Sequence, residues 1–279
     1  MAGRILVTGA SGYLGRYVAI RARAAGWSVV GTHLARATDV AETSLDVRDA
    51  SAVRALVERV RPDAVIHAAV GRDRDDWRTT ADGAAHVAVA AAATGTRLVH
   101  VSSDAVFRGG PQEYDEAALP EPVYRYGAAK AAAETAVRAV APDAAVVRTS
   151  LVLGDGNGGH ETLTRALASG RVDGVLFTDE IRKPVHVCDL ADALLELVTN
   201  GHRGVLNVAG ADAISRYDLG LLVAARYGLD PSRLTGARMA EVGVQRPADV
   251  RLRLDLASSV LRTRLRGARE FLADPIIRS

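Results

Sequence analysis

The feature that most restricts this chain lies in its first fifteen residues. The apolar run Arg4–Thr8 leads straight into Gly9-x-x-Gly12-x-x-Gly15, and helix-like sequence follows without a break. A strand that turns at glycines and opens a helix leaves the first helical N–H groups unpaired, at the positive end of the helix dipole. Such a turn favours a pyrophosphate, and the glycines permit a close backbone approach that side chains would block. The spacing points to a bound dinucleotide, with Ser11, Tyr13 and Leu14 of the same loop beside it.

The rest of the N-terminal half repeats the rhythm. Strands are expected at Arg4–Thr8, Ser28–Thr32, Ala64–His67, Arg97–Ser102 and Ala145–Thr149, with helices near 12–25, 50–60, 79–94 and 124–140. That alternation predicts βαβ units and an α/β fold: a Rossmann-type, doubly wound parallel sheet. After Thr149 the pattern changes. A glycine loop at 154–159, helices at 161–169 and from Asp189, a strand at Gly204–Ala209 and a helix capped by Ser215 predict a smaller lobe. The expected division is residues 1–150 for the dinucleotide domain and 151–279 for a substrate lobe interleaved with it.

Composition narrows the function classes. Apolar residues make up 48% of the 279, enough for a full core, and aromatics only 4%. Small and β-branched side chains suit buried parallel strands. A net charge of +2 without a basic run gives no footprint for nucleic acid, and no apolar run is long enough for a membrane span. Cys188 is the only cysteine, which excludes an internal disulfide and a cysteine-based metal site; a cytoplasmic protein is expected. Cys188 itself reads as core, and His67 and His186 as packed or strand-end residues. Arg246 and Asp249 read as ties between the tail and the body.

Two positions speak to the cofactor. An NAD site would carry an acid at the end of the second strand, to bind the ribose hydroxyls. This chain has Thr32-His33, with Arg36 available for a 2′-phosphate. NADPH is the expected cofactor, with NADH left open. Ala68 and Ala69, at the end of the third strand, are small enough for a cofactor to lie across the sheet edge.

The catalytic signal is Tyr126-Gly-Ala-Ala-Lys130, which puts Tyr and Lys on one helix face. Free tyrosine titrates near a pKa of about 10, and a neighbouring ammonium lowers that value. Only two of the 35 basic residues are lysine, so a Lys at this position stands out in an arginine-rich chain. The fourth strand ends in Ser102-Ser103-Asp104. A hydroxyl there polarises a substrate carbonyl beside the tyrosine, which gives Ser103, Tyr126 and Lys130 as the catalytic set.

The stretches RILVTGASGYLGR, PDAVIHAAV, RLVHVSSDAVFRGG, YRYGAAKAAAE, VVRTSLVLGDG and RKPVHVCDLADAL resemble the extended short-chain dehydrogenases/reductases, and within them the dTDP-4-dehydrorhamnose reductase (RmlD-like) family. The resemblance implies a reductase of a 4-keto-6-deoxy nucleotide sugar, with Asp46 and Val47 at the adenine. It also implies Asp104, Ala105, Leu151, Arg182 and Lys183 at the substrate, the last two near a diphosphate, and a homodimer through the Tyr126 helix. The sequence departs from the family pattern at Ala105 and Leu151, each time losing an aromatic. The absence of a Glu at position 105 disfavours dehydratase chemistry. Two alternatives stay open: a non-catalytic regulatory subunit, as one family relative is, and a sugar-nucleotide epimerase using the same three residues.

Overall fold

Strand β1 (Arg4–Thr8) shows how the layers arise. Ile5 and Val7 face one apolar cluster and Leu6 the opposite one, and all three are fully buried. A strand apolar on both faces needs helices on both sides. In the computed structural model, which describes residues 3–71, 73 and 75–273, that is the arrangement found.

The N-terminal half continues with α1 (Tyr13–Ala24), β2 (Ser28–His33), β3 (Thr43–Ser44), α2 (Ala50–Val60), β4 (Ala64–His67), α3 (Gly83–Thr94), β5 (Arg97–Val101), β6 (Glu113–Tyr114), α4 (Arg125–Val140) and β7 (Ala145–Thr149). The second half holds β8 (Val152–Leu153), α5 (Gly159–Ala168), β9 (Leu176–Phe177), β10 (Ile181–Arg182), β11 (Val185–His186), α6 (Val187–Thr199), β12 (Gly204–Val208), β13 (Ile214–Ser215) and α7 (Arg216–Tyr227). It closes with β14 (Gly236–Ala237), β15 (Arg251–Leu252), α8 (Asp255–Val260) and α9 (Ala268–Phe271).

The main sheet has the order β12-β7-β5-β4-β1-β2-β3, and every pair is parallel. Its order reverses beside β1, and the carboxyl ends of the strands at such a point form the crevice where ligands bind. Helices α1 and α6 cover one face; α2, α3 and α4 cover the other. Strand β12 and helix α6 come from the second half, so the two halves are threaded through one another. The remaining second-half strands pair in short two-stranded units, with α5 and α7 packed together over them.

Several expected boundaries shift for identifiable reasons. Helix α3 is preceded by a π-helical turn at Arg78–Asp82, which the 3.6-residue pattern does not register. Helix α5 opens at Gly159 because the buried Glu161 folds back onto the N–H groups of Gly154, Gly156 and Gly158, at 3.1–3.2 Å. Ser215 caps α7 as expected, accepting from Asp218 N at 3.0 Å. Asp189 does not cap α6. His186 does, its Nδ1 accepting from Cys188 N at 3.2 Å. Asp189 lies inside the first turn, where it binds the Arg266 side chain at 2.7 Å and the Arg266 backbone N–H at 3.0 Å. Cys188 is only partly buried, beside this helix start and not in the core. Among the described residues no helix is long and apolar enough to cross a membrane.

Candidate active site

The glycine loop follows β1 in a tight turn. Gly9 has φ +72°, and a Cβ there would sit 2.7 Å from the Ala69 backbone. A Cβ on Gly15 would overlap the Gly9 carbonyl. Gly12 is the N-cap of α1; it offers no side-chain cap, and the first turn of α1 carries no acid. The helix start therefore has donors to give and no local anion to take them, which fits a pyrophosphate. Ser11 and Gly12 are exposed, Tyr13 and Leu14 partly buried. Thr32 is buried, and its hydroxyl accepts from Gly9 N at 3.3 Å. His33 is partly buried and Arg36 is exposed on the loop beyond β2. Ala68 and Ala69 follow β4 and are partly buried. Asp46 accepts a bidentate pair of bonds from Arg48, at 2.7–2.9 Å, and those bonds hold its carboxyl below the usual range. Val47 is buried, with its carbonyl within 2.9 Å of His86 Nδ1.

At the carboxyl end of β5 the two adjacent serines turn opposite ways, as alternation requires. Ser102 is buried and donates to Glu134 at 2.6 Å. Ser103 lines an open cavity of about 520 Å³ together with Asp104, Ala105, Tyr126, Leu151 and Arg182. Its hydroxyl accepts from Ala105 N at 3.2 Å and donates to Asp104 at 3.3 Å, long bonds that leave it free to turn toward a ligand. Gly127 explains how Tyr126 reaches the same wall. A Cβ there would overlap the Ala105 carbonyl, so only glycine lets α4 press against the turn after β5.

Lys130, one helical turn after Tyr126, is 4% exposed and donates to the Val101 carbonyl at 3.0 Å. Burial pulls its ammonium down to about 8, against the opposing charge of Glu134. Glu134 continues the same helical line and is bound by Arg148 at 2.8 Å, both side chains being almost wholly buried. Arg148 also donates to the Ala118 carbonyl at 3.0 Å and lies over the Phe107 ring. This network fixes α4 against β5 and β7. His67 and His100 stack on the same side of the sheet, and His67 Nδ1 lies 2.6 Å from Thr8 Oγ1. Burial pulls His67 down to about 3 and His100 well below its ordinary value, disfavouring the charged form of both.

The opposite wall corrects part of the sequence reading. Arg182 does reach the cavity, but its guanidinium is engaged by the carbonyls of Ile181, Ala248 and Pro247 at 2.7–2.9 Å. It also pairs with Asp104 and Glu180, at 3.6 and 3.4 Å. Asp104, whose Oδ2 also accepts from Ser150 at 2.7 Å, is pushed upward by burial and drawn back by Arg182. Lys183 is not on the wall. Just past β10, its side chain is 9% exposed and donates to the Leu252 carbonyl at 3.0 Å. Residues the sequence did not single out complete the cavity: Tyr124, His160, Glu180 and Arg216. Arg246, expected only as a tail tie, also lines it and lies over the Phe177 ring. A second, mainly apolar cavity of about 370 Å³ shares Leu163, Glu180, Arg216 and Arg246 with the first. Only Tyr124 carried a signal, being an aromatic two residues before Tyr126. The others come from separate segments with no common spacing.

A parallel sheet with a glycine cradle at its switch point defines a Rossmann-type fold. The model for the RmlD substrate binding domain matches residues 3–278, and the chain belongs to that family. It is 34% identical to the dTDP-4-dehydrorhamnose reductase of Mycolicibacterium smegmatis, covering 99% of this chain and 86% of that protein. It is 31% identical to methionine adenosyltransferase 2 subunit beta of Xenopus laevis, covering 83% and 74%. Among solved structures, the dTDP-4-dehydrorhamnose reductase of Bacillus anthracis in complex with NADP superposes with a TM-score of 0.84. That pair is 25% identical, with 98% and 96% of the chains covered.

Proposed function

We propose that this chain is an NADPH-dependent reductase of a ketone on a nucleotide sugar, most closely a dTDP-4-keto-6-deoxy sugar. One observation carries the reading: Ser103 and Tyr126 share one cavity wall, with the ammonium of Lys130 buried one helical turn behind Tyr126. The NADP complex of the Bacillus anthracis relative supports the cofactor. Gly9, Gly12 and Gly15 would hold its pyrophosphate, and Arg36 its 2′-phosphate. When bound, the cofactor supplies the hydride that adds to the carbonyl carbon.

The chain's own residues handle the oxygen. Ser103 Oγ donates to the carbonyl oxygen and orients it. Tyr126 Oη gives that oxygen its proton, and the phenolate left behind is stabilised by the Lys130 ammonium. The Glu134–Arg148 pair keeps α4, and with it Tyr126, in register with Ser103. Asp104, bound by Ser150 and Arg182, lines the same cavity as Ala105 and Leu151.

The test is oxidation of NADPH by purified protein across a panel of dTDP-4-keto sugars. Turnover with one or more of them is expected, with a 4-hydroxy product. The second reading, a non-catalytic subunit, is favoured by the similarity to the methionine adenosyltransferase subunit. It predicts NADPH binding with no turnover of any ketone in the panel.

A further inference from the structure

Asp155, in the loop at 154–159, bonds two side chains of the glycine-loop helix. Tyr13 Oη donates to Asp155 Oδ1 at 2.8 Å, and Tyr17 Oη donates to Asp155 Oδ2 at 2.7 Å. The two tyrosines are one turn apart on α1, and their rings pack edge to face with centroids 5.8 Å apart. Asp155 also accepts from Asn157 of its own loop, from the backbone N–H at 2.9 Å and the side-chain amide at 3.1 Å. Each carboxylate oxygen thus has one donor from each lobe.

Neither side of this contact is free to drift. The loop carrying Asp155 is held from beneath by Glu161, buried and bonded to three of its N–H groups. Tyr13 stands between Gly12 and Gly15, inside the turn that fits a pyrophosphate. The Asp155 loop runs on into α5, whose Gly159 and His160 line the 520 Å³ cavity. One carboxylate therefore ties the dinucleotide turn to the substrate wall across a sequence separation of 142 residues.

We propose that Asp155 is a positioning residue for the cofactor: with Tyr13 and Tyr17 it forms a clasp that holds the second lobe on the glycine-loop helix and limits the rate at which the dinucleotide leaves. The inference rests on the cofactor reading above. A carboxylate accepting two hydroxyls makes charge-assisted bonds, stronger than neutral ones, and opening the lobes breaks both at once. The Tyr17 ring packs against the core and its hydroxyl bonds Asp155, so removing that hydroxyl tests the clasp and spares the packing.

The experiment is stopped-flow release of NADPH, followed by its fluorescence, from the wild type, Asp155→Asn, Tyr17→Phe and the double variant. Release from Asp155→Asn is expected to be about tenfold faster, with association changed by less than about twofold. Tyr17→Phe keeps the ring and loses only an exposed hydroxyl bond, so it is expected to fold normally and to show a smaller acceleration. The double variant is expected to release no faster than Asp155→Asn alone, because both changes act through one carboxylate. Release within about twofold of wild type in both single variants would overturn the clasp while leaving the cofactor reading intact. A wild type that binds neither NADPH nor NADH would overturn the cofactor reading itself, and the clasp with it.

Discussion

The two walls of the cavity are built in opposite ways. The wall bearing Ser103 and Tyr126, with Lys130 buried behind it, comes from one strand end and the next long helix. The wall bearing Leu151, Glu180, Arg182, Arg216 and Arg246 is gathered from well-separated segments and held by remote ties. Arg182 is anchored to Pro247 and Ala248, Lys183 to Leu252 and Asp189 to Arg266. The difference teaches where damage should show. A change at a cavity-facing residue of the first wall should remove chemistry and leave the fold; a change among the buried ties behind either wall should weaken the fold before it touches chemistry.

The sharpest way to break that contrast is Tyr126→Phe. It should lower kcat by about 10³-fold, with NADPH affinity and thermal stability nearly unchanged. An active Tyr126→Phe enzyme would remove the first wall from the mechanism. Next in size is Glu134→Ala, which strands the buried Arg148 charge and should cost about 3–5 kcal/mol in urea unfolding. A double change, Glu134→Leu with Arg148→Met, should cost less than the sum of the single ones, because no unpaired charge remains.

The third prediction concerns pH. Lys130 must be charged to stabilise the tyrosinate, and its ammonium, drawn down to about 8, loses its proton as pH rises through that value. Reduction measured as kcat/KM should therefore be flat below about pH 8 and fall above it, about tenfold per unit. A profile flat to pH 10 would detach Lys130 from the proton step. The smallest effect is expected for Lys183→Met. It leaves the Leu252 carbonyl unpaired and should cost about 1–3 kcal/mol of stability, while KM for a nucleotide sugar shifts less than about twofold. A large rise in KM would restore Lys183 to the diphosphate and blur the contrast between the walls.

The same contrast explains what was legible in the sequence. Strand–helix alternation, the glycine turn and Tyr-x-x-x-Lys are local patterns, so their elements and faces follow from short-range geometry. Alternation puts Ser102 and Ser103 on opposite sides without saying which faces a ligand; the buried Glu134 that takes Ser102 decides it. Lys183 could not be told from a surface lysine, because its partner lies 69 residues away and it falls just outside β10. Asp189 looked like a helix cap because a short acid at a helix start usually is one. Its carboxylate went instead to Arg266, 77 residues on, and a histidine took over the cap. The Asp155 contact with Tyr13 and Tyr17 is equally silent in the sequence, since its two sides lie 142 and 138 residues apart.

The central claim is that a hydride passes from a nicotinamide to a ketone held against Ser103 and Tyr126. The most direct test is to supply NADPH deuterated at the transferable position with a dTDP-4-keto-6-deoxy sugar and analyse the product by mass and NMR. One deuterium on the former carbonyl carbon, formed by the wild type and almost absent with Tyr126→Phe, is the predicted result. Unlabelled sugar recovered unchanged from an enzyme that binds NADPH would contradict the account.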